Sequence, residues 1–149
     1  MQIAVGSDHA GFRYKSLVIE ELRAAGHEVE DFGTLSVEPV DYPPIIRRVA
    51  LAVAAREFER GVVLGGSGNG EAIVANRIAG VRCSLCWSEE SACLARAHND
   101  ANVLSLGQRL LTEDDVRRIL GVWLTTAFEG GRHLRRILEI DNPATSADS

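Results

Sequence analysis

The chain has 149 residues, of which 46% are hydrophobic and 25% charged. This is the length and composition of one globular domain, and it excludes disorder over most of the chain. No run approaches the ~18 consecutive apolar residues of a membrane span. The formal net charge of −5 argues against a nucleic-acid-binding surface, which is normally basic.

Gln2 to Gly6 reads as a short buried strand. Phe12 to Ala25 follows with helical spacing and is stopped by Gly26. His27 to Phe32 alternates as a second strand, and Gly33 to Pro44 is a loop marked by Pro39, Pro43 and Pro44. Pro44 suits a first helical turn, because its fixed φ fits and its missing N–H is not needed there. The apolar-faced helix then continues from Ile45 to Phe58. Gly61 to Gly65 is a continuous apolar strand of the kind found in parallel sheets.

A glycine turn, 66–70, leads into a helix from Glu71 to Ile78, and Val81 to Trp87 is a fourth strand. Ser88 caps a helix reaching His98, and Asn102 to Leu106 is a fifth strand. Thr112 to Asp115 resembles a capping box, and its helix is expected to reach Phe128. A last helix covers Arg132 to Glu139, and Asn142 to Ser149 is small, polar and expected to fray. Alternating strands and helices with tight joins predict a three-layer α/β/α sandwich on a parallel sheet. Ligands of such sheets lie beyond the carboxyl ends of the strands.

Gly65-Gly66-Ser67-Gly68-Asn69-Gly70-Glu71 is the most informative stretch. It is not a nucleotide P-loop, which ends in Lys-Ser/Thr, because Glu71-Ala72 follows Gly70. It also fails the dinucleotide pattern Gly-x-Gly-x-x-Gly. From Gly66 the third glycine falls on Glu71, and from Gly65 the second falls on Ser67. What remains is a donor-rich turn at a helix start with a carboxylate at its edge. That arrangement suits an oxyanion formed during reaction, with Glu71 as a base beside it. It also suits a plain tight turn with Glu71 as a favourable helix N-terminal charge, and spacing does not separate the two.

Asp8-His9 follows the first strand, and His98-Asn99 ends a helix. Either pair also reads as ordinary turn or helix-end residues. His27 reads as surface, and His133 has no pattern to recommend it. Asp8, His9, Glu71 and His98 are a conceivable metal set, but no paired-Cys or His-Glu-x-x-His motif exists, so no metal is expected. Arg132 and Arg136, four apart, share a helix face. They form either a phosphate clamp or a solvated basic face, while Leu134, Ile137 and Leu138 point elsewhere and pack. Cys83 and Cys86 have redox-motif spacing but lie in a predicted strand, so they read as buried structural thiols. Three cysteines make no disulfide framework. The first eight residues lack the basic and apolar regions of a signal peptide, so a cytoplasmic chain is expected.

Five motifs occur in order: Gly6-Ser7-Asp8-His9-Ala10-Gly11, Asp41-Tyr42-Pro43, the Gly66 to Gly70 turn, Ala97-His98-Asn99-Asp100-Ala101-Asn102, and Phe128-Glu129-Gly130-Gly131-Arg132-His133. In these the chain resembles the ribose/galactose isomerase family, which holds type B ribose-5-phosphate isomerases with galactose-6-phosphate and allose-6-phosphate isomerases. The likeness runs from residue 2 to about residue 141. It implies one phosphosugar isomerase domain over 1–141 and a disordered tail over 142–149. It also implies a Rossmann-like, five-stranded parallel sheet ordered 2-1-3-5-4. Further implications are a homodimer, or a higher oligomer of it, whose active sites draw on both subunits, and cofactor-free interconversion of ribose 5-phosphate and ribulose 5-phosphate.

Many family members carry a cysteine base where this chain has Gly65. The sequence is similar instead to an actinobacterial-type subgroup with a glutamate base just after the turn, which is Glu71. By this resemblance Glu71 shuttles the proton through a cis-enediolate, and Ser67 holds the enediolate with the backbone of Gly66, Gly68, Asn69 and Gly70. His98 opens the sugar ring, and Asp8 and Asn99 contact hydroxyls. His9, Arg109, Arg132 and Arg136 bind the phosphate, and Tyr42 lines the pocket. The alternatives are the same chemistry on a tetrose or hexose phosphate, and a non-catalytic sugar-phosphate-binding module.

Overall fold

The computed structural model describes residues 1–142. The strands are β1 (Gln2–Ser7), β2 (Glu28–Asp31), β3 (Arg60–Gly65), β4 (Cys83–Leu85) and β5 (Val103–Gly107). The helices are α1 (Phe12–Ala24), α2 (Tyr42–Ala54), α3 (Asn69–Asn76), α4 (Glu89–Ala97), α5 (Glu113–Thr125) and α6 (Arg132–Asp141), with a 3-10 turn at His9–Gly11. The strands form one sheet in the order β2-β1-β3-β5-β4, and every pairing is parallel. Both the expected architecture and the expected strand order are present.

Alternate residues of the central strands feed opposite layers, as a doubly covered parallel sheet requires. Ile3, Val5, Val62, Leu64, Leu104 and Leu106 pack towards α1, α4 and α5, whose Val18, Leu22, Ala92, Ile119 and Trp123 complete that core. Ala4, Val63 and Val103 face the other way, onto Ile46, Val49 and Ala50 of α2 and Ala75 of α3. Lys15, the chain's only lysine, is 1% exposed, and its ammonium meets the Asp31 carboxylate at 2.6 Å, tying α1 to the end of β2.

Several boundaries differ from the sequence reading. Helix α2 starts at Tyr42, with Asp41 as N-cap and both prolines in its first turn, where neither needs an N–H. It ends at Ala54 rather than Phe58, because Arg56 takes a φ of 60°, a left-handed conformation that closes helices. Strand β4 is only Cys83–Leu85. Arg82 and Cys83 give their N–H groups to the side chains of Asn102 and Asn76, and these side chains take the place of strand pairing there. Helix α5 stops at Thr125, since Thr126 turns extended. Of the apolar residues of α6 expected to pack, only Ile137 does, while Leu134 and Leu138 are about half exposed. The tail expected over 142–149 lies, apart from Asn142, outside the described residues.

Candidate active site

Strand β1 ends in buried Ser7 and delivers Asp8, 7% exposed, to the carboxyl edge of the sheet. Asp8 caps the 3-10 turn, its Oδ1 accepting the Gly11 N–H at 3.1 Å. His9 follows, and its Nδ1 accepts the Val40 N–H at 3.1 Å. That bond leaves the ring proton on Nε2, a donor with no hydrogen-bond partner among the described residues.

Strand β3 ends at Gly65, and the glycine turn carries the chain into α3. Gly68 has a φ of 80°, which a side-chain-bearing residue adopts only at a cost. Its carbonyl accepts the buried Ser105 Oγ–H at 2.7 Å, which pins the turn to β5. Ser67 Oγ accepts the Asn69 N–H at 3.2 Å, so the hydroxyl proton is left to donate outward. The Gly66 and Gly65 carbonyls accept N–H bonds from Arg109 and Gln108, both at 2.9 Å. Arg109 lays its guanidinium over Gly66, 3.2 Å from where a Cβ would stand. Tyr42, from the first turn of α2, presses its phenol against Gly70.

Glu71 is the centre of this group. It lies in the first turn of α3 yet is only 4% exposed, so it is no solvated helix-end charge. Its carboxylate fills the space that a side chain on Gly65 would occupy. Burial raises its pKa above the ordinary carboxylate value; the hydrogen bond from its own backbone N–H opposes this, and the Asp8 charge adds to it. A buried carboxylate with raised basicity beside free donors is the arrangement of a general base next to an oxyanion site.

The remaining expected residues lie elsewhere. In the β3–β5 ladder Gly61 pairs with Val103 and Gly65 with Gly107. His98 and Asn99 precede Val103, so they lie at the amino edge, while the glycine turn lies at the carboxyl edge. Four strand steps of about 3.3 Å put roughly 13 Å between those edges. Helix α6 joins the amino-edge group: the Glu129 N–H donates to Ala97 O at 3.0 Å, and Arg82 bridges the Asn99 carbonyl and Asp141. Arg132 and Arg136 are exposed on α6. One chain therefore holds two groups, Asp8, His9, the turn, Glu71 and Arg109 at one edge and His98, Asn99, Arg132 and Arg136 at the other.

This separation also removes the conceivable metal set of Asp8, His9, Glu71 and His98. The structure instead brings in His133, which sequence reading passed over. It is 5% exposed, and its ring stacks on His98 with centroids 4.2 Å apart and planes 14° apart. The available signal was its i, i+4 spacing to Ile137, the buried residue of α6. Cys83 in β4 and Cys86 just past its end are both held as thiols. Burial pushes the Cys83 thiol well up, with the Cys86 and Glu71 charges adding to it, and holds Cys86 at about 11. Neither is a thiolate nucleophile near neutrality.

Residues 3–140 match the ribose/galactose isomerase family. Ribose-5-phosphate isomerase B of Escherichia coli is 43% identical over 136 residues, covering 91% of each chain. The solved ribose-5-phosphate isomerase B of Clostridium thermocellum superposes with a TM-score of 0.95 at 41% identity, covering 97% of this chain and 98% of the other. That of Mycoplasma genitalium, solved with bound ribulose 5-phosphate, superposes at 0.93 with 35% identity, covering 98% and 97%.

Proposed function

This chain belongs to the ribose/galactose isomerase family, and from that we propose that it interconverts ribose 5-phosphate and ribulose 5-phosphate with Glu71 as the proton-shuttling base. The observation that carries the assignment is the buried Glu71 carboxylate standing in the side-chain space of Gly65. The relatives named for this reaction support the substrate.

In the open-chain aldose, the Glu71 carboxylate removes the proton from C2. The C1 carbonyl becomes the oxyanion of a cis-enediolate. Ser67 Oγ–H, oriented by the Asn69 N–H it accepts, and the other N–H groups of the turn from Gly66 to Gly70 stabilise that charge, a contribution of about 3–4 kcal/mol per well-placed donor. The protonated Glu71 then delivers the proton to C1, and the hydroxyl proton on O2 moves to O1. No oxidant or reductant is consumed, because C2 is oxidised as C1 is reduced. His98 acts as acid and base in opening the furanose ring. Asp8 and Asn99 hold hydroxyls, and Tyr42 walls the pocket.

The phosphate falls to His9 and Arg109 from one chain and to Arg132 and Arg136 from a second copy. The two edges of a single chain cannot meet on one small sugar, so the active unit is a homodimer with shared sites. The half-exposed Leu134 and Leu138 beside those arginines, and the exposed Ile73 two residues past Glu71, support a covering surface at both groups.

The test is to incubate the purified protein with ribose 5-phosphate in EDTA, following ribulose 5-phosphate, with four- and six-carbon phosphosugars in parallel. Fastest turnover on the pentose, unchanged by chelator, is the expected result. Fastest turnover on another sugar changes the substrate and keeps the chemistry, whereas binding without turnover on any of them ends the isomerase reading.

A further inference from the structure

We infer that His98, Glu129 and His133 form a binding site for a transition-metal dication of the Zn2+ class, and that an ion held there withdraws His98 from the substrate. One ligand atom from each of the three lies within 4.8 Å of the others. Glu129 Oε2 is 3.4 Å from His133 Nε2 and 3.8 Å from His98 Nε2. Metal–ligand bonds of about 2.0–2.1 Å in a tetrahedron place ligand atoms ~3.3 Å apart. The Glu129–His133 pair already has that spacing, the Glu129–His98 pair is within half an ångström of it, and the two imidazoles lie within 4.8 Å of each other.

His133 is the fixed member. Its ring is buried, and its Nε2 makes no hydrogen bond to any described residue. An unsatisfied buried polar atom costs free energy, and the carboxylate 3.4 Å away offers an ion to share rather than a bond. The movable members face solvent, with side-chain exposures of 35% for His98 and 57% for Glu129. A turn of the His98 ring out of its stack aims its lone pair at the common point without repacking the core. Two imidazoles and one carboxylate select Zn2+, Co2+ or Ni2+ over Mg2+ and Ca2+, which require oxygen ligands. Three protein ligands leave a fourth position for water.

The inhibitory consequence rests on the proposed role of His98 in ring opening, whereas the site itself does not. Co2+ titrated into chelator-treated protein, followed by its visible d–d absorption, reads the site without any activity assay. Wild-type protein binds one ion per chain with tetrahedral bands, and Glu129→Gln, an exposed position that cannot disturb the core, weakens binding at least tenfold. His133→Asn does the same. No saturable binding, or binding unchanged in both variants, overturns the site. Zn2+ then suppresses turnover of ribose 5-phosphate, EDTA restores it, and Glu129→Gln requires at least tenfold more Zn2+ for the same effect. Full turnover at saturating Zn2+ overturns the withdrawal of His98 while the site stands. A protein that binds Co2+ but isomerises no sugar even in EDTA keeps the site and fails the isomerase reading.

Discussion

The carboxylate of Glu71 stands in the space into which a side chain at Gly65 would grow. The end of β3 and the first turn of α3 thus share one position between them, and only one can supply a reactive group there. The absence of a side chain at 65 is what allows a carboxylate six residues later to face the substrate edge from inside the protein. Glu71→Gln keeps the size and the burial but removes the base. Turnover of ribose 5-phosphate is expected to fall at least ~100-fold, the lower end for a general base, with KM little changed. Near-wild-type turnover would refute the assignment.

Gly65→Ala tests the same relationship from the other side. The added methyl takes the place of the carboxylate, which must swing away. A base displaced by ~1 Å loses on the order of 100-fold, so kcat falls steeply although Glu71 is still present. Wild-type kcat in a Gly65→Ala variant, measured with a normal circular dichroism spectrum, would contradict this packing.

The raised Glu71 pKa has consequences of definite sign. Only the ionised carboxylate takes the C2 proton, so kcat/KM falls with acidification at a pH above the ordinary carboxylate range, because burial, the largest cause, raises the titration point. An acid limb at the ordinary value would contradict the dry site. For stability, the native state holds a proton on Glu71 between the ordinary and the raised pKa, where the unfolded chain does not. Stability from this group is therefore greatest below the ordinary value and declines as pH rises through that window. Above that window the wild type carries a buried charge that Glu71→Gln lacks, so there the variant's Tm is expected to equal or exceed the wild-type Tm. Thermal melts across the pH range check this, and a variant less stable than the wild type above the acid limb of kcat/KM would contradict it.

Arg136 is exposed and makes no hydrogen bond or ion pair among the described residues. Arg136→Ala is expected to leave stability unchanged and to raise KM for the phosphorylated sugar about tenfold or more, the worth of a charge-assisted hydrogen bond. Initial-rate kinetics decide it, and an unchanged KM would make the residue ordinary surface charge.

Much of this arrangement is legible in the sequence because it is local. Continuous apolar strands such as Gly61 to Gly65, short joins and the Thr112 to Asp115 cap each express a short-range preference, and together with the family resemblance they specify the sheet and its order. The glycine turn is legible for the same reason. What is not legible depends on the third dimension. Arg56 ends α2 by its backbone conformation, which no composition signals. Side chains of Asn76 and Asn102 replace the ladder around the short β4. His133 shares the inward face of α6 with Ile137, but its partner, His98, lies 35 positions earlier and no local pattern names it. The resemblance implied active sites drawn from two subunits, but the strand register is what puts His98 and Glu71 at opposite edges of one chain.

That opposition gives the most direct measurement. Glu71→Gln and His98→Asn chains, each nearly inactive alone, are co-expressed and the mixed dimers purified in the same pool. If the site joins Glu71 of one copy to His98 of another, each mixed dimer keeps one intact site. Random pairing of the two chains in a closed dimer then restores about a quarter of wild-type turnover. A co-expressed pool as inactive as its parents would contradict the shared site.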